Sequence, residues 1–506
     1  MNEKITILDT TLRDGEQTRG VSFSSEEKLS LTKMLIKEAK IDRVEVASAK
    51  VSEGEKETVS AICAWAKTEG VLARIEVLGF VDKDKSVDWL CESGCTVLNL
   101  LAKGSKKHCE KQLRKKPEEH YADVKEVIDY ADSKGVVVNV YFEDWSNGMK
   151  DSEDYVLDFA RFLSKTKVNR LMLPDTLGVL EPTQVFEYVK KMKEVFPVSR
   201  MDFHAHNDYG LATANSLAAI REGITTVHCT VNGLGERTGN APLAELVAVI
   251  NDKTLHKTNV DESSLVRVSK FVERISGKKL PTNKPIVGED VFTQTAGIHA
   301  DGDAKGGLYA NPLFPERFGR KREYALGKLS GKASLEQNLK ELKVELTQEQ
   351  KKLVLERVVS LGDRKETVTA EDLPYIISDV LKTPLERRVQ ILSCEVKSSL
   401  SGKPSAKLKI KFNGVAIEES SRGDGGYDAF MTALAKAAKK KGITIPKLTD
   451  YEVRIPPGGK TDALVETTIT WNIDGKEYRT VGIDSDQVMA AIKATEKMLN
   501  HITAQE

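Results

Sequence analysis

Eight short β-rich segments alternate with helix-like stretches along the first half of the chain, and this alternation restricts the fold more than any other feature. The stretches between them, such as SSEEKLSLTKMLIKEA, have apolar residues at three- and four-residue spacing, which indicates amphipathic helices. Eight strand–helix alternations favour a closed (β/α)8 barrel over an open doubly wound sheet, and such barrels usually take about 250 residues. The β-rich segments begin at Ile5, Arg43, Arg74, Thr96, Val136, Arg170, Met201 and Thr226.

The pattern changes twice after the barrel. From about Asn251 helical segments predominate, with a Gly-rich irregular stretch between Gly297 and Gly331. From about Arg388 three strand-like segments precede a helix, and the same order then occurs again, which is an internal βββα repeat. We therefore predict an α/β chain with three parts. They are a (β/α)8 barrel at 1–255, a linker with helical subdomains at 256–385 and a C-terminal α+β regulatory domain at 386–506.

The composition argues against nucleic acid and membranes as partners and indicates a cytoplasmic protein. Lys plus Arg and Asp plus Glu number 76 each, so no net charge attracts nucleic acid or an anionic membrane. Six scattered cysteines without a CxxC motif are typical of reduced thiols in a cytoplasmic protein. The first strand starts at Ile5, so we expect no signal peptide, and no apolar run has the length of a membrane span.

Ionisable residues follow the ends of the predicted barrel strands. In a (β/α)8 barrel, functional groups lie at the carboxyl ends of the strands and in the loops that follow, so we expect these groups to meet at one mouth. The loop after the eighth strand, NGLGERTGN, fits neither GxGxxG nor the P-loop, which argues against a nucleotide site. The strand ends carry Arg13, Asp14, Tyr141, Glu143, Thr176, His204 and His206.

The HAH sequence is the strongest indication of a metal site. His204 and His206 are two residues apart on a strand, so both side chains face the same way. With Asp14 as a third ligand and Asn240 as an amide oxygen donor, they form a mixed N/O set that suits Zn, Mn, Co or Mg. The alternative is that one imidazole is a hydrogen-bonded core residue.

Two further side chains have both a chemical and a structural interpretation. Beside a metal, the guanidinium of Arg13 is suited to stabilising negative charge on an enolate or oxyanion; without one, Arg13 and Asp14 form a structural ion pair. Glu143, at the end of an apolar strand, is either an acid–base group or a surface carboxylate.

Three motifs in this order, DTTLRDGEQ, HAHND and NGLGERTGN, resemble the alpha-isopropylmalate, homocitrate and citramalate synthase family. The resemblance covers essentially the whole chain, including GEDVFTQTAGIHADG and GDGGYDAF. Within the family it is nearest to the bacterial (R)-citramalate synthases, through QTRGVSFS, LPDTLGVL, YANPLFPERFGRKR and DYEVRIPPGGKTDALVET.

The resemblance implies a Claisen-type condensation of acetyl-CoA, as co-substrate, with a 2-oxo acid. It implies that Asp14, His204, His206 and Asn240 bind a divalent metal, and that Arg13 stabilises oxyanion charge. Glu143 would take part in deprotonating the acetyl methyl group, and Thr176 would bind the carboxylate of the oxo acid. His299 and Tyr309 match residues that enter the active site of a neighbouring subunit, which implies a homodimer.

The resemblance also indicates the substrate and the effector. Leu78, Leu101 and Tyr141 match the citramalate pattern, in which bulky groups leave room for the methyl group of pyruvate; the alternative is simple barrel packing. The C-terminal repeat resembles the family's allosteric domain, for which isoleucine is the expected inhibitor. Leucine, or a role in dimerisation alone, are the alternatives. The matching effector positions are Tyr427, Asp428, Tyr451, Ile455, Thr461 and Val465.

We therefore predict a cytoplasmic, metal-dependent acyltransferase that makes (R)-citramalate from pyruvate and acetyl-CoA for isoleucine biosynthesis, with isoleucine feedback. The nearest alternative is a 2-isopropylmalate synthase, which uses 2-oxoisovalerate. A hydroxyacyl-CoA lyase of the same barrel superfamily would leave the C-terminal repeat without a role. A non-catalytic amino-acid-binding regulator would leave the RD, HAH and GN residues unexplained. We expect neither nucleic acid nor a membrane as a partner.

Overall fold

The computed structural model describes residues 4–363, 368–381, 388–454, 465–473 and 476–504. The chain divides into two compact units, one formed by the residues up to 293 with 310–323, the other by 294–309 with the residues from 324 onward. The predicted boundaries at 255 and 385 stay a prediction. In the described ranges, every helix is too short or too polar to cross a membrane.

The first unit contains a closed barrel of eight parallel strands in sequence order, with β8 paired to β1, so the predicted fold class is confirmed. All eight strands lie within or next to the segments expected from the sequence. Their bounds are β1 Thr6–Asp9, β2 Arg43–Ser48, β3 Ile75–Phe80, β4 Val97–Lys103, β5 Val137–Glu143, β6 Arg170–Asp175, β7 Met201–Ala205 and β8 Thr226–Cys229.

Helices connect the strands and cover the barrel. Ser24 caps the first helix: its side chain accepts from the backbone N–H of Glu27, whose carboxylate accepts from the N–H of Ser24. The helices are α1 Ser25–Lys33, α2 Glu53–Thr68, α3 Lys85–Glu92, α4 Lys106–His108, α5 Pro117–Ser133, α6 Trp145–Asp151, α7 Glu153–Leu163, α8 Pro182–Met192, α9 Ala212–Arg221, α10 Leu243–Lys253 and α11 Leu265–Ser276.

Charged and amide side chains fill part of the barrel interior. Arg43 donates to Glu76 and, at 2.7 Å, to Asp202, which also pairs with Arg170. Asn99 donates to Glu76 at 2.9 Å and to Glu45 at 2.7 Å. The carboxylates and Asn99 are buried, so this network is stable only because the charges are paired and hydrogen-bonded.

The second unit contains the internal repeat expected from the sequence. Each half is a three-stranded antiparallel sheet followed by a helix. The two-residue strands β9 Thr293–Gln294 and β10 Glu323–Tyr324 lie where the chain passes between the units. The remaining elements are α12 Gly297–Ala304, α13 Lys332–Glu341, α14 Gln348–Asp363, α15 Leu373–Leu381, β11 Val389–Ser399, β12 Gly402–Phe412, β13 Val415–Arg422, α16 Gly426–Lys439, β14 Lys447–Arg454, β15 Val465–Ile473, β16 Lys476–Asp484 and α17 Gln487–Ala504.

The Gly-rich stretch predicted to be irregular contains the helix α12, so that expectation was wrong over Gly297–Ala304. Its glycines serve close packing instead. A Cβ atom on Gly297 would lie 2.7 Å from the Cα atom of Gly331. The two backbones therefore approach each other more closely than any side chain permits.

We expect Arg43→Met to lower the free energy of unfolding of the first unit by about 3–5 kcal/mol, because it leaves two buried carboxylates, Glu76 and Asp202, without this partner. Urea denaturation followed by tryptophan fluorescence measures the change. Arg161→Met is the matched control: Arg161 pairs with Asp158 on an exposed helix face, where the loss is at most about 0.5 kcal/mol. Equal effects of the two substitutions would contradict the structural role of the network.

Candidate functional site

In the turn after β1, the side chains of Asp9 and Thr11 form hydrogen bonds that stabilise the barrel. The carboxylate of Asp9 accepts from the N–H and the hydroxyl of Thr11, each at 3.0 Å. The hydroxyl of Thr11 in turn accepts from the N–H of Val231, 2.8 Å away, after β8. Burial raises the pKa of Asp9 to about 7, against the hydrogen bonds from Thr11. Asp9 and Thr11 therefore join the ends of the two strands that close the barrel.

The next residues of this turn meet the HAH segment. One carboxylate oxygen of Asp14 lies 3.2 Å from Nε2 of His204, 3.8 Å from Nε2 of His206 and 3.2 Å from Nη1 of Arg13. All four side chains are almost fully enclosed. Burial by itself raises the pKa of Asp14, but Arg13 and the two imidazoles outweigh it and hold this pKa well below its usual range. Asp14 is therefore an ionised carboxylate between two imidazoles.

Four buried polar atoms of this cluster lack a hydrogen-bond partner. Among the residues that the structure describes, Oδ1 of Asp14, Nδ1 of His204, Nδ1 of His206 and Oδ1 of Asn240 have no hydrogen-bond partner. Buried polar atoms are normally paired, and the exceptions need an explanation such as a bound ion. One ligand atom from each of Asp14, His204 and His206 can be chosen so that all lie within 4.8 Å of one another. Two imidazoles, a carboxylate and an amide oxygen fit a divalent cation.

The loop NGLGERTGN places Asn240 beside this cluster. Its backbone forms a β-bridge with His206, and its Nδ2 donates to the carbonyl of Leu234 at 3.1 Å, whereas Oδ1 has no hydrogen-bond partner among the described residues. A Cβ on Gly239 would lie 1.8 Å from the carbonyl oxygen of Gly233, and one on Gly235 would lie 2.2 Å from Nδ2 of Asn240. These glycines let the loop fold on itself around the asparagine.

An apolar cluster lies beside Arg13, Asp14, His204 and His206, which we call the ionic cluster. Leu8, Leu78, Tyr141 and Met172 pack together, with Leu101 against them, so the three positions predicted to select the substrate do converge. Tyr141 contacts both clusters, because the guanidinium of Arg13 lies 5.7 Å above the centroid of its ring. The centroids of the Tyr141 and His204 rings are 6.0 Å apart. The role of Leu78, Leu101 and Tyr141 in choosing the substrate stays a prediction.

Glu143 and Thr176 have partners that the sequence did not reveal. Glu143, at the end of β5, forms an ion pair with Lys103 at the end of β4. The hydroxyl of Thr176 accepts from the N–H of Asp144 at 2.8 Å, and this hydrogen bond does not use the hydroxyl's own proton. Lys103 was missed because a lysine at a strand end is unremarkable until the neighbouring strand is known.

Other missed residues carry a signal that can be read in retrospect. Glu45, Glu76, Asp202 and His228 each interrupt an apolar strand segment, and all four are buried in the barrel. Glu45 accepts from Nε of Arg13 at 2.5 Å and so orients a candidate catalytic residue. A charged side chain in the middle of a buried parallel strand is the feature that could have identified them.

The remaining predicted residues belong to the second unit. The rings of His299 and Tyr309 lie 4.4 Å apart, and the rings of Tyr427 and Tyr451 lie 5.2 Å apart. Asp428 accepts from the N–H of Asp424 at 2.9 Å, and Val465 is buried at the start of β15. Ile455 and Thr461 lie outside the described residues.

Family models match three consecutive parts of the chain. Residues 4–272 match the HMGL-like family, residues 286–366 the homocitrate synthase post-HMGL domain-like family, and residues 367–503 the LeuA allosteric (dimerisation) domain. The order of these parts agrees with the order of barrel, linker and C-terminal repeat expected from the sequence.

Individual relatives cover nearly the whole chain. A Methanopyrus kandleri protein provisionally named (R)-citramalate synthase is 36% identical over 471 residues, which is 92% of this chain and 90% of that protein. The (R)-citramalate synthase of Methanocaldococcus jannaschii is 33% identical, covering 98% of this chain and 99% of its own. The 2-isopropylmalate synthase of the same organism is 32% identical, and the match covers 99% of this chain and 95% of that protein. Overall identity therefore does not separate the two activities.

We expect His120 to make the protein less stable in mild acid. His120, on α5, is buried and accepts from the N–H of Lys103 at 3.0 Å, and burial lowers its pKa from 6.5 to about 4. Between these two values the unfolded chain binds the proton and the folded chain does not. The free energy of unfolding therefore falls as the pH falls through this window, by up to about 1.4 kcal/mol per pH unit.

Urea denaturation of the wild type and of His120→Gln between pH 7.5 and pH 4.5 measures this contribution. Glutamine keeps an acceptor but does not titrate, so the stability advantage of the wild type over the variant should shrink as the pH falls. Val124→Ala, on the same helix, is the control, with a loss that does not depend on pH. Parallel profiles for the wild type and His120→Gln would refute the expectation.

Proposed function

This chain belongs to the HMGL-like family, and we propose that it condenses acetyl-CoA with pyruvate to form (R)-citramalate and free CoA. The reaction joins the methyl carbon of acetyl-CoA to the carbonyl carbon of pyruvate, and water then releases CoA from the thioester. The observation that carries the proposal is the apolar cluster of Leu78, Leu101 and Tyr141 beside Arg13 and the Asp14–His204–His206 cluster.

The apolar cluster favours a small oxo acid. Bulky side chains around the substrate leave room for a methyl group, and an isopropyl group has to displace them, at a cost of about 1–3 kcal/mol. This steric reason favours pyruvate over 2-oxoisovalerate. The 2-isopropylmalate synthase among the relatives is the second candidate, because it is nearly as similar to this chain as the (R)-citramalate synthases.

Three polar residues have the remaining roles in the proposed reaction. Arg13, held by Glu45, stabilises the negative charge that develops on the oxygen of the oxo acid. The hydroxyl of Thr176 donates a hydrogen bond to the carboxylate of the oxo acid. Glu143, paired with Lys103, accepts a proton from the acetyl methyl group.

Asp14, His204, His206 and Asn240 are the residues that would hold a divalent metal. When bound there, the metal supplies Lewis acidity that polarises the carbonyl of the oxo acid. The unsatisfied donor atoms of these four residues support the assignment. The donor set is compatible with Zn, Mn, Co or Mg.

The second unit supplies assembly and regulation in this proposal. The match to the LeuA allosteric (dimerisation) domain supports a homodimer, in which His299 and Tyr309 complete the active site of the other subunit. The aromatic pair Tyr427 and Tyr451 supports an effector site for a branched amino acid, namely isoleucine. The six free cysteines fit a reducing cytoplasm, where the product would serve isoleucine synthesis.

We expect purified protein to release CoA when given acetyl-CoA, a divalent metal and pyruvate, with much slower release for 2-oxoisovalerate. A thiol reagent follows the free CoA. Chelation should abolish the activity and a divalent metal should restore it, because the cation polarises the carbonyl that is attacked.

Asp14→Asn should lose both bound metal and activity, whereas Asp158→Asn, on an exposed helix face, should keep both. A preference for 2-oxoisovalerate would replace the proposal by a 2-isopropylmalate synthase. Absence of turnover with either oxo acid would instead favour the lyase, which is assayed by cleavage of hydroxyacyl-CoA.

We expect isoleucine to inhibit the reaction more strongly than leucine, because the effector site would accommodate its β-branched side chain. Tyr451→Ala should weaken the inhibition at least tenfold, about 1.4 kcal/mol, while leaving uninhibited activity in place. Tyr478→Ala is the matched control, since the Tyr478 ring stacks on His501 instead, with centroids 3.8 Å apart. Equal inhibition of wild type and Tyr451→Ala would exclude this effector site.

A further inference from the structure

A chain of hydrogen bonds runs from Tyr141, in the apolar cluster, into the buried network of the barrel. The hydroxyl of Tyr141 lies 3.0 Å from Nδ1 of His228, and Nε2 of His228 lies 3.3 Å from the carboxylate of Asp202. Tyr141, His228 and Asp202 are each at most 3% exposed. Neither His228 nor Asp202 has a part in the reaction proposed above.

The direction of each hydrogen bond follows from charge. The carboxylate of Asp202 forms ion pairs with Arg43 and Arg170, so it is an ionised acceptor. A carboxylate can only accept a hydrogen bond, and Nε2 of His228 is the ring nitrogen that faces it, so the single N–H of the neutral imidazole lies on this side. That N–H lies on Nε2 and donates to Asp202, which leaves Nδ1 as an acceptor.

The hydroxyl of Tyr141 therefore donates a hydrogen bond to Nδ1 of His228. The ring is held at its tip by this hydrogen bond, on one face by Arg13 and at an edge by His204. Movement of the Tyr141 ring therefore requires the hydrogen bond to His228 to break.

We propose that His228, oriented by Asp202, is a positioning residue that holds Tyr141 in place and thereby sets how large an oxo acid the site accepts. This inference rests on the proposed function, because it assigns the apolar cluster around Tyr141 to the oxo acid. It explains why a histidine interrupts the buried strand β8 at this position.

Two substitutions of His228 separate its two hydrogen bonds. In His228→Gln the amide reaches the Nε2 position and can donate to Asp202, but the acceptor for Tyr141 is lost. In His228→Asn the amide oxygen takes the place of Nδ1, so the acceptor for Tyr141 is kept. The measurement is the ratio of kcat/KM for pyruvate to that for 2-oxobutanoate, which is one methylene longer.

We expect His228→Gln to lower this ratio roughly tenfold, within the range that one methylene is worth in a pocket. His228→Asn should recover most of the loss. Tyr141→Phe should lower the ratio to a similar extent, and adding His228→Gln to Tyr141→Phe should change it no further, because the bond is already absent. Metal content, measured by elemental analysis, should equal that of the wild type in every variant.

An equal effect of His228→Gln with and without the Tyr141 hydroxyl would overturn the inference, as would loss of metal in parallel with the ratio. If the wild type prefers 2-oxoisovalerate, the proposed function fails, and the same variants are compared on that acid and its next longer homologue. If no oxo acid is turned over, ¹⁵N NMR of the histidine rings decides. A His228 ring protonated at Nδ1, or insensitive to Tyr141→Phe, would refute the geometry.

Discussion

The ion pairs of Asp202 with Arg43 and Arg170 are the interaction on which the interior of the barrel depends. A buried carboxylate is tolerated only when it is paired, and Asp202 satisfies this condition through two arginines from other strands. The network continues from Arg43 through Glu76 and Asn99 to Glu45, and from there to Arg13. A structural network at the centre of the barrel thus ends on a residue of the proposed active site.

The same network reaches the apolar cluster by a second route, through His228 to Tyr141. Arg13 and Tyr141 lie against each other, one at the ionic cluster and one at the apolar cluster. The residue proposed to stabilise the oxyanion and the residue proposed to limit the size of the substrate are therefore held by one set of buried charges. Such preorganisation fixes charged groups before the substrate arrives, so no reorganisation has to accompany the reaction.

The candidate site could be predicted in part because its residues follow a simple periodicity. His204 and His206 share one face of a strand, and the strand ends of a (β/α)8 barrel meet at one mouth, so Asp14 could be added from topology alone. The unpredicted residues were those whose partners come from distant parts of the chain. Lys103 pairs with Glu143 across neighbouring strands, and Glu45 acquires its role only through contact with Arg13.

The sequence by itself determined the eight strands, the βββα repeat and the common face of the two histidines, because these depend on spacings of two and 3.6 residues along the chain. Only the tertiary structure decided which polar residues are structural. Asp9 and Thr11 belong to the same charged turn as Arg13 and Asp14, yet they join β1 to the loop after β8 through Val231. That distinction depends on a partner 220 residues away, and local spacing carries no information about such a contact.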